Sequence, residues 1–194
     1  MARDPVMGPE LVELLERSYA TTSVVLHAVP AERSDAPSPC ERWTVGQLGG
    51  HLVGGATYFG KAVNDQSPEL PTEEPPAFGD ELGAAFDEAA RFDLAAFGRS
   101  GALDQPHEFA FGPAPGWVIA NVSLSESVLH GWDVACAIGV PYSPDDAAVD
   151  AVLRFQSQSS EDDLRSEGMF GPAQPVPANP TPFQELLALT GRRP

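Results

Sequence analysis

From Trp117 to Ile138 the chain runs without a proline, and Ile119, Val122, Leu129, Val134 and Ala137 recur along it at helical spacing. Glu126 and His130 stand on the same face, so a helix stacks them one turn apart. His51 likewise shares a face with Leu48, Leu52, Phe59 and Val63. Stripes of this period commit the chain to helices packed face to face. Two imidazoles and a carboxylate inside such faces are expensive to bury unless something pairs with them. A divalent metal is the most economical partner, and a His/His/Glu set leaves a coordination position open. The ordinary alternative is a pair of satisfied core histidines and a Glu126 carboxylate paired with a cation. No Lys or Arg lies between Arg99 and Arg154, so that cation would come from elsewhere, such as Arg42 or Lys61.

The punctuation between stripes defines an all-α chain. A first helix is expected from Pro9 to Val29, through Leu11, Leu14, Leu15, Ser18 and Val25, and the proline-rich segment Pro30–Cys40 ends it. The second opens with Thr44 as N-cap and Gln47 as its reciprocal partner, with Trp43 and Leu48 placed as a hydrophobic staple, and runs to about Asn64. Pro68–Pro76 reads as loop, Asp80–Phe97 as a third helix, and Gly98–Gly116 as loop again. After the fourth helix, Ser143 as N-cap with Pro144 at the first helical position opens a fifth, reaching Arg165. A proline-rich tail, Gly171–Pro182, leads to a short helix, Phe183–Thr190, ended by Gly191. No repeat and no persuasive strand interrupts this pattern.

The chain has 194 residues, which suits a single domain spanning 1–194. Its 28 acidic against 11 basic residues give a formal charge of -17, a field that repels nucleic acid and anionic membranes. Only Cys40 and Cys136 are present, and the opening Met-Ala-Arg-Asp-Pro-Val-Met-Gly-Pro is too polar for a secretory leader. No apolar run approaches the roughly 20 residues of a membrane span. The expectation is a cytoplasmic protein without a disulfide framework.

Pro39-Cys40-Glu41-Arg42-Trp43-Thr44-Val45, followed by His51-Leu52-Val53-Gly54-Gly55, resembles the first block of the mycothiol-dependent maleylpyruvate isomerase N-terminal family, part of the DinB-like metal-binding superfamily. Glu126 with Leu129-His130-Gly131-Trp132-Asp133-Val134-Ala135 resembles its second block. The ending, Phe170-Gly171-Pro172 through Leu189-Thr190-Gly191-Arg192-Arg193-Pro194, is similar to the tail of one actinobacterial branch. The resemblance implies a DinB-like four-helix-bundle core with additional short helices and a proline-rich C-terminal tail. It implies a metal, usually zinc, on His51, Glu126 and His130, and it admits a homodimer. Its chemistry is thiol transfer or isomerisation: the open metal position binds a low-molecular-weight thiol, mycothiol in actinobacteria, as a thiolate that adds to a small electrophilic metabolite. Family isomerases carry a further C-terminal domain that helps build their active site. With the sequence closing at Pro194, maleylpyruvate isomerisation itself is not expected here.

Several residues carry a double reading. Gly54 and Gly55 either leave room above the metal or allow close helix packing, and Gly49-Gly50 is expected to loosen the helix at His51. Asp133, one turn past His130, either accepts its ring N–H or is a helix-end acid. Tyr58 either lines a pocket or belongs to the core. Cys40 precedes a helix start but has no visible base, so an inert thiol is expected. Trp43 and Trp132 read as packing residues, and His27 and His107 have no constellation around them. The functional class is likewise open between a thiol-dependent enzyme, a non-catalytic bundle that binds metal and a small ligand, and a vestigial site. No individual catalytic residue is assigned.

Overall fold

The computed structural model describes residues 4–66, 69, 72–110, 112–166 and 169–194. Pro68, Leu70 and Pro71 of the expected loop therefore lie outside the described residues. Four long helices, α1 (Pro9–His27), α2 (Val45–Val63), α3 (Leu82–Phe97) and α4 (Gly116–Ile138), form a bundle. In it α1 and α2 each pack against both α3 and α4. The fully buried side chains Leu11, Leu15, Leu26, Leu48, Phe86, Phe97, Ile119, Leu124 and Val128 come from all four and fill the centre.

The stripe on α4 is only part of its buried surface. Ala120, Leu124, Val128 and Ala135 are also buried, and α5 (Asp146–Gln156) packs on α4 as well as on α1. A helix covered on two sides is apolar over most of its circumference. Beyond α5 follow α6 (Glu161–Arg165) and α7 (Pro182–Leu189), the latter packed on α5.

Three expectations about where helices and strands begin and end need correction. The N-cap of α5 is Asp145, not Ser143: its carboxylate accepts the Ala148 N–H at 3.0 Å and is tethered to α1 by Arg17 Nε at 2.9 Å. Nor does α5 reach Arg165. At Ser157–Ser160 local hydroxyls compete with the helix ladder: Ser157 bonds back to the Leu153 carbonyl, and Ser160 with Asp163 forms a capping box that starts α6 afresh. The segment between α3 and α4 also contains a minimal antiparallel ribbon, β1 (Pro106–His107) with β2 (Ala114–Pro115).

Gly49 and Gly50 of α2 are close-approach positions. A Cβ at Gly49 would lie 2.6 Å from Leu82 Cδ2, and one at Gly50 would fall onto the Pro76 carbonyl oxygen. Gly49-Gly50 therefore does not loosen the helix; it lets α3 and the preceding loop close onto α2 beside His51. Gly55 differs, since a Cβ there meets nothing nearer than Phe59 Cε2 at 3.6 Å. Gly50→Ala is expected to lower stability by about 1–3 kcal/mol, overpacking outweighing the roughly 1 kcal/mol gain in helix propensity. Urea unfolding checks this, and a more stable variant would mean that the loop does not hold its place over α2.

Candidate metal centre

The Thr44–Gln47 capping box is formed in both directions, so α2 starts sharply at Val45 and carries His51 into the bundle. On α4, Glu126 and His130 face it one turn apart. His51 Nε2 lies 2.8 Å from Glu126 Oε2, and His130 Nε2 lies 3.4 Å from the same oxygen. The rings meet edge to face, with centroids 5.2 Å apart. The three side chains are 19%, 31% and 12% exposed for His51, Glu126 and His130, so the cluster sits at the lip of the bundle rather than sealed inside it.

One donor atom from each residue falls within 4.8 Å of the others, the only such grouping of three His, Cys, Asp or Glu side chains among the described residues. On a tetrahedron with zinc bonds of about 2.0–2.1 Å, ligand atoms stand roughly 3.3 Å apart. The observed 2.8 and 3.4 Å separations bracket that edge. Two imidazole nitrogens and one carboxylate oxygen form a donor set suited to zinc and leave a fourth position free. The residues therefore fit a divalent cation. Burial alone would push the Glu126 carboxyl up. His130, the hydrogen bond from His51 and the charge of Arg192 outweigh it and hold the group at about 2, so the oxygen offered is ionised.

The surroundings fix these side chains. Trp43 stacks on His51 at 4.3 Å and 26° and presents its face edge-on to His130 at 6.2 Å, while its indole N–H donates to the Glu73 carbonyl at 2.9 Å. Sequence reasoning took Trp43 for packing and missed that it packs on the candidate ligands; its place directly before the Thr44 cap was the available signal. Behind His130, Nδ1 lies 2.8 Å from Asp133 Oδ2, and the Asp133 side chain is only 1% exposed. Asp133 is thus no helix-end surface acid. Burial pushes its carboxyl up, but hydrogen bonds from His130 and Arg192 hold it below its ordinary value. Arg192 grips it with Nη2 at 2.6 Å and Nε at 3.0 Å. This cation was not anticipated, because it arrives from the far end of the chain. Neither Arg42 nor Lys61 forms an ion pair with Glu126 among the described residues.

Beneath the triad lies a small polar layer. Tyr19, Ser123, Ser127, His51 and Glu126, together with the apolar Leu52, Ala56 and Phe59, line a small void of about 10 Å³, at the lower limit of what holds one water. Under it, buried Asp93 accepts hydrogen bonds from Tyr19 at 2.5 Å and Ser123 at 3.0 Å. On the other side a cleft of about 640 Å³ runs along α2 from His51 past Gly54 and Tyr58 to Lys61. Tyr58 therefore lines a cavity while packing against Phe59 and Phe109. The cleft is of the size that takes a small molecule.

The other candidates stay outside. His27 pairs with Asp87 at 2.9 Å, and buried His107 is held by Asp65 and the Ala102 carbonyl. Cys40 is half-buried, and burial together with the Asp133 charge pushes its thiol up, away from reactive thiolate. Among the described residues no helix is long and apolar enough to cross a membrane.

Known proteins place this arrangement. The DinB-like protein of Bacillus cereus superposes with a TM-score of 0.55 at 13% identity, covering 69% of this chain and 93% of that one. The mycothiol-dependent maleylpyruvate isomerase superposes at 0.56 and a point mutant of it at 0.60, each with 16% identity over 80% of this chain and 68% of the isomerase. At such identities the likeness establishes a DinB-like fold. An uncharacterized protein recorded in two strains of Mycobacterium tuberculosis is 29% identical over 191 residues, 97% of this chain and 98% of its own length. Residues 15–135, which carry His51, Glu126 and His130, match the family described as Mycothiol maleylpyruvate isomerase N-terminal domain, and the chain belongs to that family.

Proposed function

We propose that His51, Glu126 and His130 hold a divalent cation, zinc by preference, and that the protein is a thiol transferase or isomerase that joins a mycothiol-type thiol to a small electrophilic metabolite. The observation that carries this reading is the convergence of two imidazole nitrogens and an ionised carboxylate oxygen within 4.8 Å at the edge of an open cleft. A bound cation would keep a coordinated thiol in its thiolate form, the nucleophile needed at neutral pH. The chain's own groups do the remaining work. Trp43 and Asp133 fix the two imidazoles, Arg192 neutralises Asp133, and Glu126 offers an ionised oxygen. The cleft beside His51 takes the electrophile so that the sulfur–carbon bond forms near the triad. In transfer, the electron pair of the carbon–carbon π bond or carbon–oxygen bond that breaks takes up a proton from solvent, for which the cleft is open, and a thioether is the product. In isomerisation the sulfur–carbon bond breaks again and the thiolate leaves with its electron pair, so that no thiol is consumed. The charge of -17 favours small-molecule partners over nucleic acid or an anionic membrane.

The experiment is thiol-dependent consumption of electrophiles, an unsaturated acid and an epoxide first, by zinc-loaded protein. Turnover that needs the thiol and falls to background in His130→Ala is the expected result. Saturable thiol binding without loss of any electrophile would instead assign a non-catalytic binding protein.

A further inference from the structure

The end of the chain returns to the back of the metal centre. After α7, Gly191 adopts φ +83°, a conformation that L side chains rarely take, and packs against the Gly171 backbone, where a Cβ would approach to 2.9 Å. The Arg192 N–H then closes onto the Leu187 carbonyl at 2.8 Å, and the turn swings the guanidinium inward. Its side chain is 13% exposed, and it forms a two-pronged bond to a carboxylate that also holds the His130 ring. That bond is not the tail's only anchor, because Leu186 and Leu187 are buried and Arg165 donates to the Leu189 carbonyl at 2.9 Å.

We propose that Arg192 is a positioning residue for the metal centre and that docking of the C-terminal tail and occupation of the His51–Glu126–His130 site are linked through Asp133. This rests on the metal reading above. A cation on His130 Nε2 leaves Nδ1–H as the donor to Asp133, so it requires that carboxylate to be in place and aimed at the ring. Arg192 holds both oxygens of Asp133, preventing rotation away from His130 and supplying the charge that a buried carboxylate needs. With the tail undocked, Asp133 keeps one partner and His130 loses its fixed orientation. Linkage is reciprocal: whatever factor docking adds to metal affinity, metal adds to docking.

The test compares native protein with Arg192→Gln, Gly191→Ala and, as control, Arg193→Gln at an exposed neighbouring cation. Zinc affinity is read by competition with a chromophoric chelator, and hydrogen exchange is followed at the Gly191 and Arg192 amides with and without zinc. Arg192→Gln is expected to weaken zinc binding roughly 10–100-fold, the usual effect of losing an outer-shell partner. Gly191→Ala should follow in the same direction with every charge retained, and Arg193→Gln should bind as the native protein does. Zinc should slow exchange at the two tail amides in the native chain and lose that effect in Arg192→Gln. Native-like affinity in Arg192→Gln, or tail exchange indifferent to zinc, would overturn the linkage while leaving the metal site intact. A native protein that takes up no zinc would overturn both readings, and that is seen before any variant is compared.

Discussion

Zinc content is expected to fall from near-stoichiometric in the native protein to background in His51→Ala, the largest effect of any substitution at the triad. His51 is the only member of the set contributed by α2, and its Nε2 is the closest donor to Glu126, at 2.8 Å. Without it the remaining pair, Glu126 and His130, are neighbours on one helix with no group opposite to close the coordination sphere. The loss should exceed the roughly 10–100-fold attached to an outer-shell hydrogen bond, so a hundredfold or more is expected. A second readout separates lost binding from lost folding. A ligand present at a thousandfold over its dissociation constant stabilises the folded state by about 4 kcal/mol. Zinc should therefore raise the unfolding midpoint of the native chain and leave that of His51→Ala unmoved. The variant keeps its bundle, since His51 lies at the lip and Leu48 and Leu52 on the same face stay buried. Stoichiometric zinc in the variant would sink the three-residue site.

The triad's members were legible because period and chemistry coincide: a carboxylate and two imidazoles on apolar faces of prolonged helical stripes need partners; α-helical spacing relates Glu126 to His130, while the family resemblance supplied their grouping with His51 on another helix. The four bundle helices were legible for the same reason, their ends marked by Thr44, Gln47 and the proline clusters. What the pattern could not carry are contacts made by chain return. Arg192 is separated from Asp133 by 59 positions, and nothing in its neighbourhood points to α4. Gly49-Gly50 was misread for a related reason: whether a glycine weakens a helix or admits a neighbour depends on what packs opposite, here Leu82 and Pro76. The break after Gln156 was readable in principle, since four consecutive residues, Ser157-Gln158-Ser159-Ser160, include three that compete with the helix ladder. Asp93 was readable too, as an acid on the face of α3 that holds Phe86, Ala89, Ala90 and Phe97.

Asp93 gives the second large effect, and its sign is opposite to that of an ordinary surface acid. The side chain is fully buried, with Tyr19 from α1 and Ser123 from α4 on one oxygen and, among the described residues, no partner on the other. The Tyr19 hydroxyl is pushed up by burial, by the Asp93 charge and by its hydrogen bond to Asp93, with a smaller push from the Glu126 charge. Burial pushes the Asp93 carboxyl from 3.8 up to about 7, against the lowering effect of the two hydrogen bonds. Between those values the folded chain holds a proton that the unfolded chain has released. Stability therefore falls as pH rises, by up to about 1.4 kcal/mol per pH unit and at most about 4 kcal/mol in total. Glu126 acts in a separate window: held at about 2 against an ordinary 4.5, its contribution is complete above pH 4.5 and is lost as pH falls toward 2. Asp93→Asn keeps the shape and an oxygen for Tyr19 and Ser123 but cannot ionise. Urea unfolding between pH 4.5 and 8 is then expected to show native stability declining toward neutrality while the variant's curve is flatter by the same amount, so that the two approach or cross near pH 7. Parallel curves would mean that the buried carboxyl ionises as freely as in the unfolded chain, with water reaching its unpartnered oxygen.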